Sequence, residues 1–134
     1  MADAIAYLGI ARKGGFVETG EEKAGALVKT GKARLLIVAA DASPHARRRA
    51  EGYVYAPGVP LLVVPYTKAE LSAASGRPGC SMAAFTDLGL AARFAGALAE
   101  EYGEQFREIA EGLAARQARV KTKVGKSGKR RKTV

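Results

Sequence analysis

Apolar and polar positions alternate between two periods along this chain, and the changes of period mark out its elements. After Asp3, an acceptor suited to capping, Ile5, Leu8 and Ile10 recur at helical spacing. Arg12 and Lys13 place cations at the carbonyl end of that helix, and Gly14-Gly15 stop it. Phe16 and Val17 make a short strand. Thr19, followed three residues later by Glu22, has the spacing of a capping box and opens a second helix, with Ala24, Leu27 and Val28 on one face and Gly31 at its end. Leu35 to Ala39 is an unbroken apolar run rich in branched residues, which predicts a strand covered on both faces. Ser43-Pro44 supplies an N-cap and an N1 proline for a third helix, which ends near Gly52, Pro57 and Gly58. Leu61 to Val64 is the next buried strand. Thr67 and Glu70 form a second capping box on a short helix stopped by Gly76, and Met82 to Phe85 is the last strand before Thr86 or Asp87 caps the final helix.

Strands alternating with helices in this order predict an α/β fold, a three-layer α-β-α sandwich around a mixed four-stranded sheet. The last helix is long. Leu88, Ala91, Ala95, Leu98, Tyr102, Phe106, Ile109 and Leu113 continue one apolar stripe for about seven turns, roughly 40 Å at 1.5 Å per residue. A domain of this size does not cover such a length. Either the part beyond Gly103 folds back, or it projects and offers Phe106, Ile109 and Leu113 to a partner, with Gly103 the expected break.

Charge is concentrated at one end. Of 22 Lys and Arg and 13 Asp and Glu, nine cations and no acid fall in residues 116–134, so this tail holds the whole net charge of +9. Its cations are Arg116, Arg119, Lys121, Lys123, Lys126, Lys129, Arg130, Arg131 and Lys132. A segment so charged, with Gly125 and Gly128 in it, buries too little to offset its ordering entropy and is expected to be disordered when free. Its natural partner is a polyanion, most simply RNA, through release of condensed counterions. No apolar run is long enough for a membrane helix and no signal-peptide pattern opens the chain, so a cytoplasmic protein with no membrane partner is expected. Cys80 is the single cysteine and His45 the single histidine, which leaves no internal disulfide and no metal cluster.

Candidate chemistry gathers at loops. The segment Gly20-Glu21-Glu22-Lys23 opens a helix whose first amides are unpaired, a cradle for a phosphate or a base edge. Its carboxylates suit guanine N1–H and N2–H₂ or cytosine N4, which need acceptors. Glu22 is spoken for if the capping box forms, which makes Glu21 the better base reader. Asp41-Ala42-Ser43 follows the buried strand, where ligand sites of open α/β sheets lie. Lys29, Lys32 and Arg34 bracket the end of the second helix; with Arg12 and Lys13, Lys32 and Arg34 are expected to rim the cradle and hold phosphates. Arg47, Arg48 and Arg49 span about 200° of helix and do not share a face. Catalysis finds no support: there is no phosphate-loop spacing, no GxGxxG, no HExxH, and one histidine anchors no triad.

Residues 8–43, with Gly20 and Gly31 eleven apart, the strand and turn LLIVAADASP, the loop SGRPGC and the strand-to-helix entry MAAFTDLGLAARF, resemble the ribosomal superfamily of the L-seven-Ae and L-thirty-e type over residues 3–98. Its members clamp kinked or looped RNA with one helix N-terminus and two nearby loops. The resemblance implies that Gly76-Arg77-Pro78-Gly79 is the second RNA-contacting loop, lying beside the Gly20 helix start, with Arg77 stacking on a base or forking onto phosphate. The family's kink-turn-gripping Asn, Glu and Lys are replaced here by Glu22, Lys23 and Ala26, and the Gly-Glu-Glu start is similar to the bacterial branch. On this reading residues 1–98 form an RNA-binding domain, 99–115 a helical extension and 116–134 the basic tail. The chain is then a non-enzymatic RNA-binding protein of the translation apparatus, without cofactor or metal, bound to ribosomal or ribosome-associated RNA. The rivals are a protein-interaction adaptor using the extended helix and an RNA-substrate module like that of some RNA methyltransferases.

Overall fold

The computed structural model describes residues 3–78 and 80–132, with side chains described through Arg119. Ten principal elements follow in order: α1 Ala4–Gly14, β1 Val17–Thr19, α2 Glu21–Lys29, β2 Leu35–Val38, α3 Pro44–Tyr55, β3 Leu61–Val63, α4 Lys68–Ser75, β4 Met82–Phe85, α5 Leu88–Tyr102 and α6 Arg107–Lys132. The sheet order is β1-β4-β2-β3. β4 runs antiparallel between β1 and β2, while β2 and β3 are parallel, so the sheet is mixed. Helices α2 and α3 pack together over one face, and α1, α4 and α5 over the other. The expected three-layer sandwich is the fold.

β2 and β4 hold the centre. All four residues of each are buried, as the Leu35–Ala39 run requires of a strand covered on both faces. Leu61 to Val64, read as a buried strand, holds the edge strand β3: Leu62 and Val64 are buried but Val63 is 42 % exposed. The stripe of α1 also differs from Ile5, Leu8 and Ile10. Ala4, Leu8 and Ala11, spaced by four and three, are buried, while Ile10 stands about 200° from Leu8 and points outward. Asp3 makes no side-chain cap; the carboxylate of Glu101 on α5 accepts the Ala4 amide instead.

Local signals set several boundaries directly. Ser43 Oγ accepts the Ala46 amide at 3.1 Å, Thr67 and Glu70 close a reciprocal capping box, and Asp87 accepts the Leu90 amide at 2.9 Å. The Thr19–Glu22 box does not form. Thr19 is the last residue of β1, in register with Ala83, and its ladder pairing leaves α2 capped by Gly20 with no side-chain acceptor.

The long stripe breaks at Gly103, whose φ of 110° is open to glycine and strained for other residues. A 3-10 turn at Glu104–Phe106 then sends α6 back along α5. Phe106, Ala110 and Leu113 are buried in that contact, so the surface an adaptor would have presented is used internally. Gln117 reaches the start of α5, its Nε2 3.1 Å from where a Cβ on Gly89 would lie. The backbone of α6 continues to Lys132. Lys and Arg are good helix formers, and the packed turns from Arg107 supply the nucleus that an isolated basic segment lacks.

Candidate functional site

β1, β2 and β3 run one way and β4 the other, so the carboxyl ends of three strands meet the amino end of the fourth along one rim of the sheet. Four connections line this carboxyl rim. The Gly20 amide donates to Met82 O at 2.8 Å, Ala39 to Ser81 O at 2.9 Å and Ala40 to Tyr66 O at 2.8 Å. Across the rim, Gly20 is followed by the loop entering β4, then by the Ala39–Ser43 turn, then by the start of α4. Gly20, Arg77 and Asp41 are thus carried by neighbouring connections, the arrangement inferred from resemblance.

Helices α2, α3 and α4 all begin at this rim, and two of them are capped by their own side chains. Asp41 adds to the capping of α4: its Oδ1 accepts the Lys68 amide at 2.8 Å and pins the β2–α3 turn to that helix. Ser43 is occupied as the α3 cap. These two residues have structural duties that position the rim. Only α2 starts bare. Ala24 N–H closes the first helical bond to Gly20 O at 2.9 Å, and the amides of Glu21, Glu22 and Lys23 have no protein acceptor among the described residues. A Cβ on Gly20 would meet nothing within 4 Å, but its φ of 104° favours glycine, so the residue is required by backbone conformation and leaves an open approach.

The two carboxylates exchange the roles expected of them. With no capping box, Glu22 is exposed and makes no hydrogen bond or ion pair among the described residues, and Lys23 is exposed beside it. Glu21 is half-buried and faces Arg49 of α3, Oε2 to Nη1 at 3.5 Å. Arg49 donates to the Tyr53 hydroxyl at 3.1 Å, and its interactions with Tyr53, then the lesser effect of the Glu21 charge, hold the guanidinium's proton more firmly. Glu22 is therefore the carboxylate available to a base edge. Sequence offered no signal for the Glu21–Arg49 pair, since it depends on how α2 lies across α3.

That packing rests on Gly25. A Cβ there would come within 2.5 Å of the Tyr53 ring, which sits between α2 and α3 with the Lys29 ammonium 5.6 Å from its centroid. Gly25→Ala is expected to displace Tyr53 and lower stability by about 1–3 kcal/mol, the usual range for overpacking, despite alanine's better helix propensity. A denaturant melt in which Gly25→Ala equals or exceeds the parent would refute this close approach.

On the other side of the cradle, Gly76 closes α4 in the left-handed conformation, with its amide on Ser72 O at 2.9 Å. Two serines of α4 shape the loop: Ser75 Oγ accepts the Arg77 amide at 3.4 Å and Ser72 Oγ accepts the Cys80 amide at 3.0 Å. Arg77 and Pro78 are exposed, and the Arg77 guanidinium has no partner among the described residues; Gly79 lies outside them. Cys80 is buried, and burial pushes its thiol up, away from reactivity. Tyr66, behind the rim, buries a hydroxyl with no hydrogen-bond partner among the described residues, and burial raises its pKa.

The three arginines of α3 diverge as their 100° steps require: Arg47 donates to Ala40 O at 2.9 Å, Arg49 turns to Tyr53, and Arg48 is exposed. Lys32 and Arg34 are not at the cradle. The Arg34 amide donates to Phe85 O at 2.7 Å, at the end of β4 opposite to Met82, so both residues lie on the other rim of the sheet. The physical reason is the length of α2, nine residues or roughly 13 Å, which carries the chain from one rim to the other. Of the tail, Arg116 and Arg119 are exposed on α6, while the side chains of Lys121, Lys123, Lys126, Lys129, Arg130, Arg131 and Lys132 lie outside the described residues. Among the described residues there is no His, Cys, Asp and Glu cluster able to hold a metal ion, and no helix is long and apolar enough to cross a membrane.

No protein-family model and no curated protein matches the sequence. Among solved structures, the chain is similar to a Bacillus halodurans protein of unknown function, with TM-score 0.66 and 23 % identity over 73 % of this chain and 98 % of that one. It is also similar to the Giardia lamblia 15.5kD RNA binding protein, with TM-score 0.61 and 21 % identity over 81 % of this chain and 85 % of that one. Likeness at this identity carries the fold; the chemistry of the site rests on the residues of this chain.

Proposed function

We propose that this chain is a non-enzymatic RNA-binding protein of the translation apparatus, acting in the cytoplasm on structured RNA of ribosomal or ribosome-associated origin and belonging to the bacterial branch of the superfamily it resembles. The observation that carries this reading is the bare N-terminus of α2 beside the exposed Arg77 loop, on one rim of a fold shared with an RNA-binding protein. The amides of Glu21 to Lys23 and the Glu22 carboxylate offer donors and an acceptor to an extruded base or a phosphate, and Arg77 offers a planar cation that stacks. Asp41 and Ser43 hold the rim in place. With Glu22, Lys23 and Ala26 at the kink-turn positions, the preferred RNA differs from a standard kink-turn.

Sequencing of RNA that copurifies with the full chain, followed by titration of the recovered species, tests this. Arg77→Ala is expected to weaken that RNA with the melting temperature nearly unchanged. Glu22→Ala is expected to narrow the preference over random RNA by about 1–3 kcal/mol, the worth of a good base-edge contact. If both variants titrate like the parent, the carboxyl rim is not the RNA site.

A further inference from the structure

Cations of the folded domain that no neighbouring acid offsets gather away from the carboxyl rim. The carboxyl-rim connections, residues 19–23, 39–44, 64–68 and 76–82, carry Lys23, Lys68 and Arg77 against Glu21, Glu22 and Asp41, and are neutral. The opposite amino rim is formed by residues 12–17, 30–34, 58–61 and 85–88, which carry Arg12, Lys13, Lys32 and Arg34 against Asp87 alone, and Asp87 is engaged in capping α5. Among the described residues none of those four cations has an ion pair. α6 adds to the same rim: Gln117 lies against Gly89 at the start of α5, so the basic tail begins there, with Arg116 and Arg119 exposed.

An aromatic ring stands among these charges. Phe16 is 43 % exposed, unusual for its type, and its ring rests on Gly14, where a Cβ would come within 2.7 Å of it. Its carbonyl accepts the Thr86 amide at 2.8 Å, and the Arg34 amide donates to Phe85 O. Extending the two registers by one residue puts Phe16, Thr86 and Arg34 side by side across three strands, with Phe16 and Arg34 roughly 10 Å apart at the usual strand spacing. Arg12 and Lys13 lie in the last turn of α1, four and three residues before Phe16 in the chain.

We infer that the amino rim is a second RNA-contacting surface, which seats an unpaired strand with one base stacked on Phe16 and its phosphates on Arg12, Lys13, Lys32 and Arg34. This rests on the RNA-binding reading and adds to it a division of labour: the carboxyl rim engages a structured element while the amino rim holds a separate single-stranded segment. An aromatic platform inside a cationic groove is how single strands are held without sequence preference, and a base in a duplex does not present its face to such a ring.

The test is fluorescence anisotropy of a labelled dodecauridine strand with the full chain, over about 50 to 200 mM salt. Phe16→Ala is expected to weaken binding at least about fivefold with an unchanged salt slope, and Phe16→Tyr to restore it. The variant Arg12→Ala/Lys13→Ala/Lys32→Ala/Arg34→Ala is expected to flatten the log–log slope by about 0.7 for each phosphate no longer neutralised. Melts establish that each variant is folded; all five positions are surface residues, and Gly14→Ala, which pushes the ring aside without removing it, serves as an independent variant expected to match Phe16→Ala. Parent-like binding by both the Phe16→Ala and the fourfold variant overturns the inference while leaving the carboxyl-rim reading intact. A full chain that binds neither dodecauridine nor any copurifying RNA overturns both.

Discussion

Replacing Leu36 by alanine is expected to lower stability by on the order of 2–5 kcal/mol, enough to leave a sizeable unfolded fraction at modest temperature. Leu36 is fully buried on the central strand, in register with Ala84 of β4 on one side and Leu61 of β3 on the other. Its neighbour Ala84 is too small to fill the void, and the paired strands on both sides keep the backbone from collapsing into it. Part of the transfer energy and the packing of the surrounding atoms disappear together. Lys32→Ala, at an exposed position, is the control and should melt like the parent. A Leu36→Ala melt within a degree of the parent would contradict the central position of β2.

Deleting residues 118–134 is expected to have the largest effect on RNA affinity. Ending the chain after Gln117 keeps Phe106, Ala110 and Leu113 packed and preserves the contact at Gly89, while removing eight of the nine tail cations and leaving Arg116. A protein making six or more phosphate contacts loses about a thousandfold in affinity between 50 and 200 mM salt, and the truncated domain should lose far less over that range. At the low end of the range the full chain should bind mixed RNA far more tightly than the truncated one, and near the high end the two should converge. Equal affinities and equal slopes for the two forms would show that the tail is not an RNA arm. Because the cut spares the apolar stripe, a fall in melting temperature on truncation would instead reveal a packing role for residues beyond 117.

The candidate site was only partly legible. Gly20, the Ala39–Ser43 turn and the Arg77 loop were identified as segments, because glycine conformation, strand ends and the family-like spacing all mark them. The assignment of duties within those segments was not. Thr19 and Glu22 have capping-box spacing, yet the ladder with β4 extends through Thr19 and removes it from capping, which releases Glu22; the crossing of α3 over α2 then engages Glu21. Lys32 and Arg34 lie close to the cradle in sequence but a helix length from it in space, and Phe16 looked like a strand residue when it is an exposed ring on the far rim.

By itself the sequence determined what depends on neighbours within a few residues: the Ser43 and Thr67–Glu70 caps, the stops at Gly15 and Gly76, the buried run of β2, and the break at Gly103. Those interactions are short in range, so the residue types present at each step decide them. Tertiary structure alone decided the insertion of β4 between β1 and β2, the return of α6 along α5, the choice between Glu21 and Glu22, and the separation of a neutral carboxyl rim from a cationic amino rim. Periodicity shows that a face is apolar but not what covers it. Strand order and helix crossing are set by which long-range burial outweighs the entropy of closing the chain between its partners.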